Sequence, residues 1–148
     1  MTADLAAMAD AVRAGLASGA FSLPFTPRRV IDPGVDLQQL QSLRVDVVGR
    51  KERLARLDRQ GRRQVDSLID VAVRRKLTRT DDPAEHDALL SLVQEIGDWF
   101  FTHPLPGRTE SLVEVDTDAT GTVAWSVPDL SEQRAFVAVV TLTFRGFR

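Results

Sequence analysis

The segment that most constrains the fold of this chain is residues 81–103, because it carries a long apolar stripe at helical spacing. The stripe recurs every three or four residues, which places it on one face of an α-helix. Its members are Leu89, Leu92, Val93, Ile96, Trp99 and Phe100. Such a stripe must be covered, since exposed apolar surface is unfavourable in water. The sequence therefore predicts a packed body built around this helix.

Both ends of this helix are predicted as well. Asp82 is placed to accept a hydrogen bond from a free backbone N–H, Pro83 suits the first helical position, and Glu85 supplies the acid of a capping box. The proline-containing residues 103–107 end the helix, because proline has no N–H to donate and clashes with the preceding turn.

A second amphipathic pattern begins the chain. Thr2 is expected to cap this helix, and Gly19 is expected to end it in a left-handed conformation. The apolar face consists of Leu5, Met8, Val12 and Leu16. Residues 21–31 contain two prolines and are predicted to be at most an extended or edge strand. Residues 36–40 are predicted to form a short helical turn.

Alternation of apolar and polar residues predicts the strands. Residues 43–47 and 65–74 each follow this period, and the first is expected to be half-buried. Residues 112–116 and 122–127 are predicted to form a hairpin around the turn-rich residues 116–121. The last run, residues 134–147, is apolar on both faces at its start and is placed in the interior of the sheet.

The order of these elements predicts a single α+β domain over residues 1–148. We expect an antiparallel-rich mixed sheet, two amphipathic helices packed on one face, and a projecting basic arm at residues 49–63. The arm is either two strand ends around a turn at residues 58–61 or a short helix.

The basic arm is the most unusual local feature. Between Arg44 and Arg79 the chain carries twelve Lys or Arg against five acids, although its formal net charge is only −2. This uneven distribution predicts two surfaces of opposite sign. The arm contains no aromatic residue for base stacking, so we interpret it as a subunit or partner interface rather than a nucleic-acid reader. Its predicted contact residues are Arg50, Lys51, Arg53, Leu54, Arg56, Leu57, Arg59, Arg62 and Arg63.

Residues that support catalysis are hard to find. There is no cysteine, no nucleophile elbow and no phosphate-binding glycine loop. His86 and His103 lie about 25 Å apart on one helix at roughly 1.5 Å per residue, too far to share a metal within one subunit. We interpret His86 as solvated and His103 as favoured by the helix C-terminus. The acid pairs at residues 81–82 and 116–118 are expected to cap a helix and make a turn. We therefore predict no enzyme, no cofactor and no metal site.

The sequence also predicts no export signal and no membrane span. The alanine-rich N-terminus is interrupted by Asp4, Asp10 and Arg13, so it does not read as an export signal. No run approaches the roughly 20 apolar residues that a membrane span needs. The sequence therefore predicts a soluble chain without a membrane partner.

Three stretches taken together are similar to a known family. Residues 43–77, 82–101 and 134–148 resemble the tail terminator (tail completion) family of long-tailed bacteriophages in the order and pattern of their elements. The resemblance implies an α+β subunit of a homo-hexameric ring that caps the tail tube and stops its polymerisation. The implied partners are the tail tube protein and head-closure or connector proteins, with DNA passing only transiently through the ring. The implied location is the virion neck and tail, after assembly in the host cytoplasm.

Two other hypotheses remain open from the sequence. The chain can be another neck component, such as a head-closure or connector protein, and binding to the tube end separates that role from a terminator. The basic arm also fits a DNA-binding module whose affinity depends on phosphate contacts and falls with salt.

Overall fold

The computed structural model describes residues 4–31, 42–77, 83–126 and 132–148, and describes only the backbone of residues 119–126 and 132–134. In these ranges the chain forms α1 (Asp4–Ser18), β1 (Pro27–Arg29), β2 (Arg44–Arg56), β3 (Arg63–Lys76), α2 (Pro83–Thr102), β4 (Ser111–Ser126) and β5 (Glu132–Phe147). The predicted cap at Thr2, the turn at residues 36–40 and the acid pair at residues 81–82 lie outside the described residues.

The strands form one sheet in the order β1-β2-β3-β5-β4. β1 is parallel to β2, and the three other pairs are antiparallel. This arrangement confirms the predicted α+β fold with a mixed, antiparallel-rich sheet. It also confirms that residues 21–31 supply no more than a short edge strand and that the last strand lies in the interior of the sheet.

The predicted central helix is confirmed as α2, which begins at Pro83. Five of the six predicted apolar residues are buried: Leu89, Leu92, Val93, Ile96 and Phe100. Trp99 lies at the margin of the core, where its ring stacks on His103 at 4.2 Å between centroids. The helix thus buries the stripe that its sequence period predicts, and the ring at its margin covers the last turn.

The first helix ends where predicted, but for a different reason. α1 ends at Ser18, and Gly19 does not have the positive φ that we expected. Its amide donates a hydrogen bond to the carbonyl oxygen of Gly15 at 3.2 Å. A Cβ atom at Gly19 would lie 2.6 Å from the ring of Phe21, so a side chain here would require that ring to move.

Both helices pack on the same face of the sheet. A Cβ atom at Gly15 of α1 would lie 3.1 Å from the Trp99 ring of α2, which places the two helices in contact. Alternate residues of the inner strands complete one hydrophobic core beneath them: Val45, Val47, Ile69, Val71, Val73, Phe136, Ala138, Val140, Leu142 and Phe144. The remaining positions of these strands lie on the opposite side, which carries neither helix and which we call the helix-free face.

The predicted hairpin at residues 112–127 is wrong. Residues 111–126 form one strand, β4, that pairs with β5 from Ser111↔Arg145 to Ser126↔Glu132. Register shifts between Leu112 and Glu114 and between Asp118 and Gly121 interrupt the ladder. The turn-forming residues are absorbed as irregularities of a long edge strand, because the continuous partner β5 supplies hydrogen bonds on both sides of them. Asp116 and Asp118 therefore lie on a strand and not in a turn.

Candidate interaction surface

The predicted basic arm is a β-hairpin, so the alternative of a short helix is wrong. β2 and β3 pair as far as Arg56↔Arg63, and the N–H of Leu57 donates to the carbonyl oxygen of Arg62 at 3.0 Å. In the turn, the Asp58 carboxylate accepts hydrogen bonds from the backbone N–H groups of Gln60 and Arg62, each at 3.1 Å. Gly61 has a φ of 86°, in the left-handed region that favours glycine.

Most of this arm belongs to the sheet. β5 runs beside β3 to the pair Gln64↔Phe147, and Arg63 exchanges backbone hydrogen bonds with Arg148 at 2.8 and 3.0 Å. Only residues 57–62 extend past this point. The hairpin end is therefore held by its neighbour strand and presents its side chains from a fixed backbone.

The structure places the predicted contact residues along one hairpin, at and near one corner of the sheet. All nine are exposed: Arg50, Lys51, Arg53, Leu54, Arg56, Leu57, Arg59, Arg62 and Arg63. Leu54 is 56% exposed and Leu57 is 43% exposed. The corner thus combines apolar side chains with a high density of arginine.

Most charges at this corner are weakly held. Arg50 lies 3.9 Å from Asp70, and Arg62 lies 3.7 Å from Asp58, with both arginines more than half exposed. Exposed ion pairs of this kind contribute at most about 1 kcal/mol. These guanidinium groups therefore remain accessible to a partner.

Phe147 belongs to the same corner but was missed by the sequence analysis. Its ring is 60% exposed, and the guanidinium carbon of Arg62 lies 5.8 Å from the ring centroid. This distance fits a cation–π contact. The sequence signal was available: Phe147 follows Phe144 by three residues in a strand, so the two rings point to opposite faces.

The helix-free face carries ion pairs that sequence reasoning also missed. The Arg145 guanidinium donates to both carboxylate oxygens of Asp66 at 2.9 and 3.1 Å, and this hydrogen bonding lowers the pKa of Asp66. Nearby, the Thr141 hydroxyl donates to Asp70 at 2.7 Å. These contacts link β3 to β5 and order the middle of this face.

Asp46 is the most buried charged residue of the helix-free face. Its side chain is fully buried, and its Oδ2 atom accepts hydrogen bonds from Arg44 at 2.8 Å and from Arg74 at 2.5 Å. Its Oδ1 atom accepts none from the described residues. The alternation of residues 43–47 predicts that one face of this strand is exposed. Asp46 and its neighbours Val45 and Val47 are all buried, so both faces of β2 are covered at Asp46.

The two histidines take different positions. His86 is 30% exposed and packs edge-on against Phe136, with 5.4 Å between the ring centroids, so it is less solvated than expected. The His103 ring places its Nδ1 atom 2.9 Å from the carbonyl oxygen of Trp99, at the C-terminal end of α2 as expected.

The described residues form neither a metal-ligand cluster nor a membrane-spanning helix. Within residues 4–31, 42–77, 83–126 and 132–148, no group of three or more acids or histidines is placed to hold a metal ion. In the same ranges, neither helix combines the length and apolar character that are needed to cross a membrane.

Comparison with known proteins gives structural likenesses but no sequence family. No protein-family model matches this chain, and no curated protein matches it. Among solved structures, the chain is similar to one from a structure described as the virion of a native gene transfer agent (GTA) particle. The two chains are 13% identical with a TM-score of 0.49, and the match covers 98% of this chain and 100% of that chain. The function must therefore be argued from this chain's own residues.

Proposed function

We propose that this chain is a non-enzymatic structural protein of a phage-type virion, in the role of a tail terminator. In this role six copies form a ring on the end of the tail tube, stop tube growth and present a surface to head-closure proteins. The sequence resemblance of residues 43–77, 82–101 and 134–148 to that family suggests the role. The exposed basic hairpin is the structural observation that carries it.

The composition of the hairpin fits a protein contact. Six of its seven exposed basic residues are arginine, with Lys51 the exception. Arginine is enriched and lysine depleted at protein interfaces, because the planar guanidinium pairs with carboxylates in two hydrogen bonds and stacks on apolar surface. Leu54 and Leu57 add apolar area that a partner would remove from water. A surface of this kind suits stable contact with the tube or with a neighbouring subunit.

The test uses tail tubes of the same particle, assembled with and without this protein and imaged by electron microscopy. We expect a sixfold ring at one tube end and tubes that stop growing once it has bound. The variant Leu54→Asp/Leu57→Asp should lose tube-end binding while keeping its circular dichroism spectrum. The matched control is Phe101→Asp, which changes a 63% exposed apolar residue of α2.

Three outcomes would contradict the terminator role. They are decoration along the tube length, tubes that grow normally past a bound ring, and unchanged end-binding by the Leu54→Asp/Leu57→Asp variant. Binding to isolated connector rings but not to tube ends would instead favour a head-closure role.

The same arginines favour one second candidate, a DNA-binding module. DNA affinity should then fall steeply with salt, because binding to phosphates releases counterions. Replacing Arg53, Arg56 and Arg59 by glutamine should abolish that binding. Absence of measurable binding at low salt would exclude this candidate.

A further inference from the structure

Two edges of the sheet are free in the part of the chain that the structure describes. β1 covers β2 only at Val45–Val47, so no described strand pairs with the outer edge of β2 from Val48 to Arg56. At the other end of the sheet, no described strand pairs with the outer edge of β4. Open strand edges are templates for pairing with another chain.

The hydrogen-bond pattern shows which backbone groups of β2 point outward. The N–H group of Leu57 donates to the carbonyl oxygen of Arg62 across the hairpin. The N–H and C=O groups of Arg63 instead point away from β2 and bond to the backbone of Arg148. Because antiparallel pairs alternate between bonded and non-bonded, Glu52, Leu54 and Arg56 direct their N–H and C=O groups away from β3. This segment lies beyond the irregularity between Gly49 and Lys51, so its edge is regular.

The two free edges carry opposite charges on the same face. Lys51 pairs across the ladder with Leu68, and Arg53 pairs with Asp66. Because Leu68 and Asp66 lie on the helix-free face, Lys51 and Arg53 lie there as well. Arg50 lies on the same face, since it forms an ion pair with Asp70. Glu114, Asp116 and Asp118 of β4 pair with Thr143, Thr141 and Val139, which also lie on the helix-free face. All six charged residues are exposed. The stripes are therefore complementary in sign and face.

We infer that copies of this chain join edge to edge, with residues 51–56 of β2 in one copy pairing with residues 114–118 of β4 in the next. The β4 segment is the regular stretch between its two register shifts. β2 and β4 run in opposite directions within the sheet, and rotation about an axis along the strands keeps those directions. Copies related by such a rotation therefore meet as antiparallel strands. The contact is heterologous, so it generates a ring when the rotation closes.

The charges also disfavour the symmetric pairings. Two β2 edges would bring Lys51 and Arg53 against each other, and two β4 edges would oppose three carboxylates. Like charges directly across a ladder are destabilising, whereas opposite charges are favourable. Only the β2-to-β4 contact satisfies both stripes, which is why the occupant we assign is a second copy. The inference deepens the proposed function and relies on it only for the ring at the tube end.

A zero-length carbodiimide cross-linker tests this contact on the purified protein. The chain has only two lysines, Lys51 and Lys76, so the cross-linked amines are few. We expect covalent dimers in which Lys51 is joined to Glu114, Asp116 or Asp118. These acids lie three strand spacings from Lys51 in the same chain, about 14 Å, so such a link must join two molecules. Lys51→Arg keeps the charge but removes the amine, and it should lose the link.

Charge reversal supplies a second, independent readout. Lys51→Glu/Arg53→Glu and Asp116→Lys/Asp118→Lys should each weaken self-association at least about tenfold in sedimentation velocity. The variant that combines all four changes should regain association, because its stripes are again opposite. Asp87→Lys/Asp98→Lys on α2 makes the same change in net charge away from both edges and should have no effect.

Three results would overturn the inference. Lys51 could cross-link to the acids of α2 as readily as to those of β4, or no covalent dimer could form at high protein concentration. The variant that combines all four charge reversals could also stay dissociated. These measurements need no tail tube. Edge pairing without tube-end binding would reject the terminator role alone, and tube-end binding without edge pairing would reject this contact alone.

Discussion

Asp46 is a fully buried side chain on the helix-free face that accepts hydrogen bonds from two arginines, Arg44 and Arg74. Removing one partner of a buried ion pair typically costs about 3–5 kcal/mol. Asp46→Ala should therefore lower the free energy of unfolding by that amount in urea denaturation, because Arg44 and Arg74 both lose the carboxylate that accepts their hydrogen bonds. Asp98→Ala, on the exposed side of α2, is the control and should change it by less than about 0.5 kcal/mol. Equal losses of unfolding free energy in the two variants would contradict a stabilising role for the Asp46 ion pairs.

Asp66 gives the molecule an acid-sensitive contact between β3 and β5. The hydrogen bond from Arg145 lowers the pKa of Asp66, so the folded protein binds this proton less readily than the unfolded chain. The stabilisation is therefore complete above the ordinary pKa of aspartate, about 3.9, and is lost as the pH falls through the lower folded value. Asp66→Asn should flatten the decline in unfolding free energy as the pH falls below about 4. An unchanged decline would contradict this assignment.

At the scale of single elements, α2 owes its place to the stripe that it buries. Ile96 belongs to this stripe and is fully buried. Ile96→Ala should lower the free energy of unfolding by about 2–5 kcal/mol, because the surrounding side chains fill the resulting cavity only partly. Gln94→Ala, on the exposed face of the same helix, should change stability by less than about 0.5 kcal/mol. Thermal and urea unfolding measure both variants, and similar losses would contradict the packing of α2.

The hairpin turn depends on a backbone conformation rather than on packing. A Cβ atom at Gly61 would meet nothing within 4 Å, so Gly61→Ala tests the positive φ alone. The left-handed conformation costs a residue with a side chain about 1–2 kcal/mol. We expect faster hydrogen exchange of the Leu57 amide, which closes the turn, while amides of α2 keep their protection. Equal exchange in Gln60→Ala and Gly61→Ala would contradict this account.

At the scale of the whole molecule, edge pairing links stability to concentration. Association of folded copies stabilises the native state by mass action, so Tm should rise with protein concentration. The rise should shrink in about 1 M salt, where the Debye length is roughly 3 Å and the charge stripes are screened. Scanning calorimetry over about a hundredfold range of concentration checks this expectation. A Tm that is independent of concentration in low salt would contradict edge pairing.

The sequence by itself determined the features that depend on local period and chain chemistry. Each of these features lies within one element: the stripe of α2, the alternation of β3 and the apolar start of β5. Patterns of this kind predict the two helices and most of the strands. The exposed basic residues of the hairpin were found in the same way. The alternative of a short helix remained because residues 49–63 contain too few apolar positions to show a period.

Only the tertiary structure decided what depends on neighbouring strands. Residues 116–121 have the composition of a turn, but the continuous ladder with β5 holds them in one long strand. Asp46 alternates like a solvated residue, yet Arg44 and Arg74 make its burial possible. The acidic and basic edges lie at opposite ends of the sheet because strand order separates β2 from β4. Local sequence encodes period, whereas partners distant in the chain determine register, burial of charge and which edges stay open.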